Sequence, residues 1–212
     1  MKNFLVLIAD IEGSKKIQEE EREKLQQNLQ DLLETLNEEN KNLISPYTIT
    51  LGDEFQAVFK KADGFFVDVL KILATMHPVS VRFSLGIGSI ATPINKEQAI
   101  GMDGPAFHES REGIQQLKKN GFLFSFRIEG VDDPQLRIIN NSMQLVSQEM
   151  RKWNKRRLLI FQMLKEGYNY KEIARELEIS EVSFYKNKEA GALDIIDALS
   201  DNIAQIINEK LG

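Results

Sequence analysis

Near its N-terminus the chain contains the stretch Phe4-Leu5-Val6-Leu7-Ile8-Ala9-Asp10-Ile11-Glu12-Gly13-Ser14. Its first six residues are all apolar, which predicts a buried strand over residues 3–9, and polar turn residues end the run at once. From about Ile17 to Asn42 the leucines recur at spacings of three and four, the period of an amphipathic helix. A buried strand that runs through Asp10 and Gly13 into a helix indicates a layered domain of strands and helices.

The following segments continue this alternation. Two β-rich runs flank Leu51-Gly52-Asp53-Glu54, which predicts a hairpin with Asp53 at its turn. The series is completed by a helix from Asp63 to about Thr75, a strand from Val79 to Ile90, a helix that ends at Lys119, and a strand from Phe122 to Ile128. The order β-α-β-β-α-β-α-β is the split βαβ ferredoxin-like series with one helix and one strand added, so we predict an α+β fold.

The pattern changes after Asp132-Asp133-Pro134. Residues 135–212 contain no strand-like run and show only helical periodicity. We therefore predict two domains, a ferredoxin-like sheet domain over residues 1–134 and a small all-α domain over residues 135–212.

Composition narrows the class of protein. The 212 residues are 42% hydrophobic and 28% charged, as in soluble globular proteins with a full core. The absence of cysteine excludes disulfides and thiolate metal sites, and two histidines disfavour an imidazole zinc site. The run Phe4–Ala9 is too short to span a membrane, so we expect a cytoplasmic protein without membrane contact. Residues 140–212 carry 11 basic and 11 acidic side chains, so the net charge of −5 belongs to residues 1–139.

Two aspartates, Asp10 and Asp53, each follow a predicted strand. Mg²⁺ prefers oxygen ligands and is usually held by one or two carboxylates together with substrate phosphates. In a ferredoxin-like sheet the first strand adjoins the central hairpin, so the two carboxylates converge. Backbone amides leading to a helix N-terminus suit a triphosphate, and glycine permits close approach. We predict Mg²⁺ or Mn²⁺ on Asp10 and Asp53, and nucleotide contacts from Ile11, Gly13, Ser14 and Gly52. The alternative is a plain capping turn and a plain hairpin turn.

A family resemblance rests on these motifs. Two segments resemble the two metal-aspartate motifs of class III nucleotidyl cyclases. They are residues 9–14 and Leu51-Gly52-Asp53-Glu54-Phe55-Gln56-Ala57-Val58-Phe59. Residues 81–88, followed by residues 104–111, resemble that family's third block. Diguanylate cyclases share the palm-type sheet, but their substrate-binding helix motif is not evident after Asp10. Over all 212 residues the chain resembles the SatD family of small bacterial proteins. The resemblance implies a nucleotide cyclase palm-type sheet.

The sequence departs from the cyclase pattern at the positions that act on the nucleotide. Where the resemblance places the purine-selecting lysine, the chain has Ile49. The ribose-orienting asparagine becomes His108, and the transition-state arginine becomes Glu112, with Arg111 one residue out of register. Losing such a cation typically costs several kcal/mol of barrier. We therefore expect a domain that is degenerate for catalysis, in which His108 and Arg111 are the remaining candidate nucleotide contacts.

Residues 170–186 predict a helix, a tight turn and a second helix. Ala174 is small where the two helices cross, and Ser180 is placed to cap the second one. This arrangement is similar to the helix-turn-helix of response-regulator and sigma-factor output domains. Residues 151–157 add five cations suited to phosphate contact. The predicted DNA contacts are Arg156, Arg157, Ser183, Tyr185, Lys186, Asn187 and Lys188. The alternative is a solvated helix face or a dimerisation element.

Together these predictions describe a bacterial DNA-binding regulatory protein. Its catalytically degenerate sheet domain senses a nucleotide or metal, or mediates dimerisation. We expect a homodimer, because cyclase-like sites form at dimer interfaces and helix-turn-helix proteins commonly bind DNA as dimers. One alternative is an active Mg- or Mn-dependent enzyme acting on nucleoside triphosphates. The other is a structural interaction domain.

Overall fold

A computed structural model of the chain describes residues 2–14 and 17–212. It contains one five-stranded sheet and helices on both of its faces, which confirms the predicted α+β class. The strands are β1 (Phe4–Ile11), β2 (Leu43–Leu51), β3 (Glu54–Phe59), β4 (Val81–Gly88) and β5 (Phe124–Ile128). The helices are α1 (Glu19–Glu39), α2 (Phe65–Met76), α3 (Pro105–Asn120), α4 (Pro134–Met150), α5 (Lys155–Lys165), α6 (Tyr170–Glu176), α7 (Glu181–Ala190) and α8 (Leu193–Leu211). None of the described helices is long and apolar enough to cross a membrane.

The sheet has the strand order β2-β3-β1-β4-β5. Strand β1 lies between β3 and β4 and is antiparallel to both, whereas β4 and β5 are parallel. Because β3 separates the parallel strands β1 and β2, this is the split βαβ topology, with β5 added beside β4. The register places Asp10 opposite Glu54 of β3 on one side and opposite Arg82 of β4 on the other.

Side-chain alternation along β1 divides the core into two layers. Leu5, Leu7 and Ala9 point to the layer that holds α1 and α2, and Val6 and Ile8 point to the layer that holds α3. Asp10, the next residue of that second set, therefore lies on the α3 side of the sheet.

Helix α3 crosses β4 at Gly86 with almost no space between the two backbones. A methyl group added at Gly86 would lie 2.1 Å from the carbonyl oxygen of Ala106. The glycine is therefore required for close packing of helix on strand, a role that has no connection with phosphate binding.

The helical segment from α4 to α8, called the tail below, shares the core of the sheet. Phe161 of α5, Phe184 of α7 and Ile207 of α8 belong to the same buried cluster as Phe124 of β5. The described residues thus show no separate core for the tail, and the predicted domain boundary near residue 134 is not marked by a break in packing.

The tail also completes hydrogen bonds of the sheet segment. The side chain of Asn140 accepts from the N–H of Phe126 at 3.0 Å and donates to its carbonyl at 2.8 Å. At the other end of the tail, the side-chain oxygen of Asn208 accepts from the N–H of Ala62 at 2.8 Å. Polar side chains of the tail therefore act as partners for backbone groups that the sheet leaves unpaired.

Candidate functional site

The structure brings the end of β1 against the β2–β3 hairpin turn. The N–H of Ile11 donates to the carbonyl of Asp53 at 2.8 Å, and the hydroxyl of Ser14 donates to the Asp53 carboxylate at 2.6 Å. Gly52 has a positive φ of 50° and accepts a hydrogen bond from Gln26 of α1 at 2.8 Å. The two aspartate-bearing segments are therefore held together by the backbone and by one hydroxyl.

The Asp10 carboxylate is buried and already carries two cations. Its side chain is 7% exposed, and its Oδ2 lies 2.9 Å from Nη1 of Arg82. Its Oδ1 lies 2.6 Å from Nζ of Lys118, in the last turn of α3. A buried carboxylate requires such partners because water no longer solvates its charge.

Glu12 extends this pairing toward the tail. One oxygen of Glu12 lies 2.5 Å from Nη2 of Arg82, and the other lies 2.8 Å from Nη1 of Arg151, just after α4. Lys118, Asp10, Arg82, Glu12 and Arg151 thus form an alternating series of charges, which we call the ion-pair chain. It connects the end of β1 with the junction of α4 and α5.

These contacts involve the two carboxylates of the predicted metal site, Asp10 and Asp53. Both oxygens of Asp10 are occupied by protein cations, and one oxygen of Asp53 is occupied by Ser14. Among residues 2–14 and 17–212, no group of three or more acidic, imidazole or thiol side chains is placed to hold a metal ion. In the observed arrangement, a cation shared by Asp10 and Asp53 would have to compete with Lys118 and Arg82 for the Asp10 oxygens.

The predicted phosphate-binding segment is also partly occupied. The N–H of Ile11 is used by Asp53, and the N–H of Glu12 donates to the carbonyl of Ser80 at 2.8 Å. Gly13 is exposed and has a positive φ of 70°. The first turn of α1 consists of three glutamates, residues 19–21. A triphosphate at this helix N-terminus would therefore meet negative side chains.

His108 and Arg111 lie far from Asp10 within one chain. Both are near the N-terminus of α3, and Lys118, which contacts Asp10, is ten residues beyond His108, about 15 Å along the helix. The ring of His108 lies 2.9 Å from the carboxylate of Asp103. The N–H of Gly104 lowers the pKa of Asp103, and His108 adds to this effect.

The two substituted cyclase positions have local structural roles. Glu112 pairs with Arg127 of β5 at 2.9 Å, and Arg127 also pairs with Glu109 at 2.8 Å. Ile49 is half-buried and packs against the main core. Both residues thus have structural partners inside this chain.

In the tail, α6 and α7 are joined by the four residues 177–180. The Asn169 side chain and Glu172 form a capping box on α6, and the Ser180 hydroxyl accepts from the N–H of Ser183 at 3.2 Å. Helix α7 packs on both α5 and α6. Its residue Phe184 is buried and lies 6.2 Å from the ring of Tyr170.

The predicted DNA contacts on α7 divide into two groups. Lys186 and Tyr185 are exposed, and Tyr185 lies 5.9 Å from the ring of Tyr170. Ser183 and Asn187 are half-buried, and the Asn187 side chain donates to the Ser183 carbonyl at 2.9 Å. Lys188 pairs with Asp194 at 3.0 Å. Two of the five side chains, those of Tyr185 and Lys186, are therefore exposed to solvent.

Cations gather where α3 ends and α4 meets α5. Arg151 donates from Nε to the Gly121 carbonyl at 3.0 Å, which places the α4–α5 junction beside the end of α3. We call this surface the junction patch, and its members are Lys119, Arg151, Lys152, Lys155, Arg156 and Arg157. Glu12 pairs with Arg151 and Glu149 pairs with Lys152. Arg157 packs against Gly191 and thereby connects the patch with the end of α7.

The sequence did not reveal Arg82, Lys118 or Lys119 as parts of these sites. The available signal was a basic residue near the start of the fourth strand and a basic pair near the end of α3. Neither signal identifies its partner, because the strand register and the helix crossing are unknown before the fold is seen.

One further buried acid was also missed. Asp68 of α2 is 5% exposed and accepts hydrogen bonds from the Tyr47 hydroxyl at 2.9 Å and the Asn40 amide at 2.6 Å. Burial raises the pKa of Asp68 to about 6, although both hydrogen bonds oppose the rise. Burial, together with Asp68, raises the pKa of Tyr47 as well.

Comparison with known proteins gives one extensive match. A family model described as the SatD family matches residues 4–204. No curated protein matches the chain. Among solved structures, a bacterial light-regulated adenylyl cyclase is similar at 15% identity, with a TM-score of 0.39. That similarity covers 59% of this chain and 43% of the cyclase chain, so this protein corresponds to less than half of that enzyme.

Proposed function

This chain belongs to the SatD family over residues 4–204, a span that includes the sheet and almost all of the tail, and we propose that both act together in a DNA-binding regulatory protein. In this proposal the junction patch and α7 contact DNA. The sheet segment is degenerate for catalysis and serves in nucleotide sensing or in forming a homodimer.

The observation that carries the proposal is the charge of the junction patch. Its six cations lie at the end of α3 and along the α4–α5 junction, and two glutamates pair with two of them. The protein as a whole has a net charge of −5, so a concentrated positive surface stands out against an acidic background. Contacts between such cations and phosphates release counterions and supply sequence-independent affinity.

The geometry of α6 and α7 supports the same conclusion. Two short helices joined by a four-residue turn are the form in which many DNA readers present a recognition helix. Lys186 and Tyr185 face solvent on α7. Since Arg157 packs at the end of α7, the patch and the exposed face of the helix are close enough to act on one duplex.

The test compares DNA binding by two double variants. In the first, Lys155→Ala and Arg156→Ala remove two exposed cations of the junction patch that form no ion pair with any described residue. In the second, Lys60→Ala and Lys61→Ala remove two exposed cations from the loop between β3 and α2 as a matched control. Fluorescence anisotropy with duplex DNA at low salt should show roughly tenfold or greater weakening for the first variant only. Absence of DNA binding by the unaltered protein at low salt would overturn the proposal.

The sheet segment's part is tested separately. We expect a nucleotide that binds this segment to raise the melting temperature, because a ligand selective for the native state stabilises it. A thermal-shift screen of nucleotides with and without Mg²⁺ or Mn²⁺ measures this directly. Sedimentation velocity over a range of protein concentrations measures the proposed homodimer.

An enzyme acting on nucleoside triphosphates is the second candidate. It is favoured by the contact between Ile11 and Asp53, which brings the two cyclase-like motifs together. It is opposed by the cations on Asp10 and by Glu112, which is paired with Arg127. Incubation with the four triphosphates and Mg²⁺ or Mn²⁺ should give no product that depends on Asp10. A product that disappears in Asp10→Ala would favour the enzyme.

A further inference from the structure

Both oxygens of the Asp10 carboxylate are paired with protein cations, although Asp10 stands where the cyclase-like motif would hold a metal. We propose that Lys118 is a resident cation that occupies this position and keeps divalent metal ions away from Asp10. The inference concerns the sheet segment alone and does not rest on DNA binding.

The two cations on Asp10 differ in how firmly they are held. The Arg82 side chain is 11% exposed, lies opposite Asp10 in the sheet register, and has its second nitrogen fixed by Glu12. The Lys118 side chain is 48% exposed and has Asp10 as its only ion-pair partner in the described chain. Arg82 is therefore part of the framework of the sheet, and Lys118 is the cation whose removal would free an oxygen.

The charges around Asp10 are the reason why divalent metal ions would be kept away from it. The ion-pair chain contains three cations, Lys118, Arg82 and Arg151, against the two acids Asp10 and Glu12. A divalent ion approaching Asp10 therefore meets the positive charges of Lys118 and Arg82, one at each carboxylate oxygen.

A neutral residue at position 118 balances the chain and releases Oδ1 of Asp10. That oxygen lies on the α3 face of the sheet, where Glu54 is the cross-strand neighbour of Asp10. Two acidic side chains on one face offer the oxygen ligands that Mn²⁺ and Mg²⁺ require.

The experiment is a Mn²⁺ titration monitored by electron paramagnetic resonance, in which bound Mn²⁺ loses its free-ion signal. We expect little binding to the unaltered protein and roughly tenfold tighter binding to Lys118→Ala. The double variant Lys118→Ala with Asp10→Asn should lose the gain. Lys118→Arg, which keeps the cation, should behave as the unaltered protein does.

Lys119→Ala is the matched control, because Lys119 is the exposed neighbour on the same helix and does not contact Asp10. Circular dichroism and melting curves verify that each variant is folded. The inference is overturned if the unaltered protein binds Mn²⁺ through Asp10 as tightly as Lys118→Ala does. It is equally overturned if Lys118→Ala gains no affinity.

Discussion

Asp68 is an ionisable group that works against the stability of the fold at neutral pH. Its pKa is raised to about 6 in the folded protein, because burial disfavours the carboxylate. The folded state therefore binds a proton more tightly than the unfolded state does. Between about pH 4 and pH 6, the contribution of Asp68 to the free energy of unfolding therefore falls as pH rises. Above about pH 6 that contribution stays constant at its lowest value.

We predict that Asp68→Asn removes this loss, since asparagine can accept the hydrogen bonds from Tyr47 and Asn40 without carrying charge. The free energy of unfolding of the variant should exceed that of the parent by up to about 3 kcal/mol above pH 6. The two proteins should converge near pH 4. Urea denaturation at several pH values measures the difference, and parallel pH profiles for the two proteins would contradict the prediction.

Gly86 gives a second prediction at the scale of one residue. The Cβ of Gly86→Ala would lie 2.1 Å from the carbonyl oxygen of Ala106 and 2.5 Å from the N–H nitrogen of Ser110, so α3 must move away from β4. We expect a loss of about 3 kcal/mol in the free energy of unfolding.

The control for Gly86 is Gly130→Ala, where an added methyl group meets nothing within 4 Å but the backbone has a φ of 68°. That variant carries backbone strain alone and should lose only about 1 kcal/mol. Equal losses at the two positions would show that α3 is not held closely against β4.

At the scale of elements, α7 permits a comparison of two lysines two positions apart. Lys186 is exposed, and Lys188 pairs with Asp194 and has a side chain that is 28% exposed. We predict that Lys186→Ala weakens DNA binding and lowers the slope of log affinity against log salt by about 1, as loss of one phosphate contact requires. Lys188→Ala should change both quantities much less. Anisotropy titrations at several salt concentrations test this. A larger effect of Lys188→Ala than of Lys186→Ala would indicate that DNA does not contact the exposed face of α7.

The order and type of the elements in the sheet segment could be predicted from the sequence, because apolar periodicity is a local property. The fourth strand ends before the predicted Ile90, since Ser89 bonds with the start of α3 and Ala91, just beyond, bonds with the loop before α3. The Ser89 carbonyl accepts from Ala106 at 3.2 Å, and the Ala91 N–H donates to Asp103 at 2.8 Å. These partners are distant in sequence, so strand alternation does not reveal them.

The candidate site was predictable only in part for the same reason. Asp10 and Asp53 each follow a predicted strand, although Asp10 lies within β1, and the adjacency of their segments follows from the split βαβ order. The cations on Asp10 come from β4 and from the far end of α3, and their arrival depends on register and crossing angle. The apolar faces of the tail indicated helices correctly, but periodicity does not specify that they pack on the sheet.

At the scale of the whole molecule, the shared core predicts one cooperative unfolding transition. Trp153 is the single tryptophan, is 4% exposed, and lies edge-on to Phe161 at 5.8 Å, so its fluorescence reports on the tail. Far-ultraviolet circular dichroism reports on the chain as a whole. The two thermal transitions should coincide. A separate fluorescence transition would instead support an independent helical domain.

The bonds between tail and sheet restrict how this protein can change by recombination. Segments that are exchanged freely between proteins meet at joints crossed by few contacts. Here Asn140 supplies both hydrogen-bond partners of Phe126, and Asn208 supplies that of Ala62. A foreign tail without amides at these positions would leave backbone groups of the host sheet unsatisfied. We therefore expect sheet and tail to be inherited as a single piece.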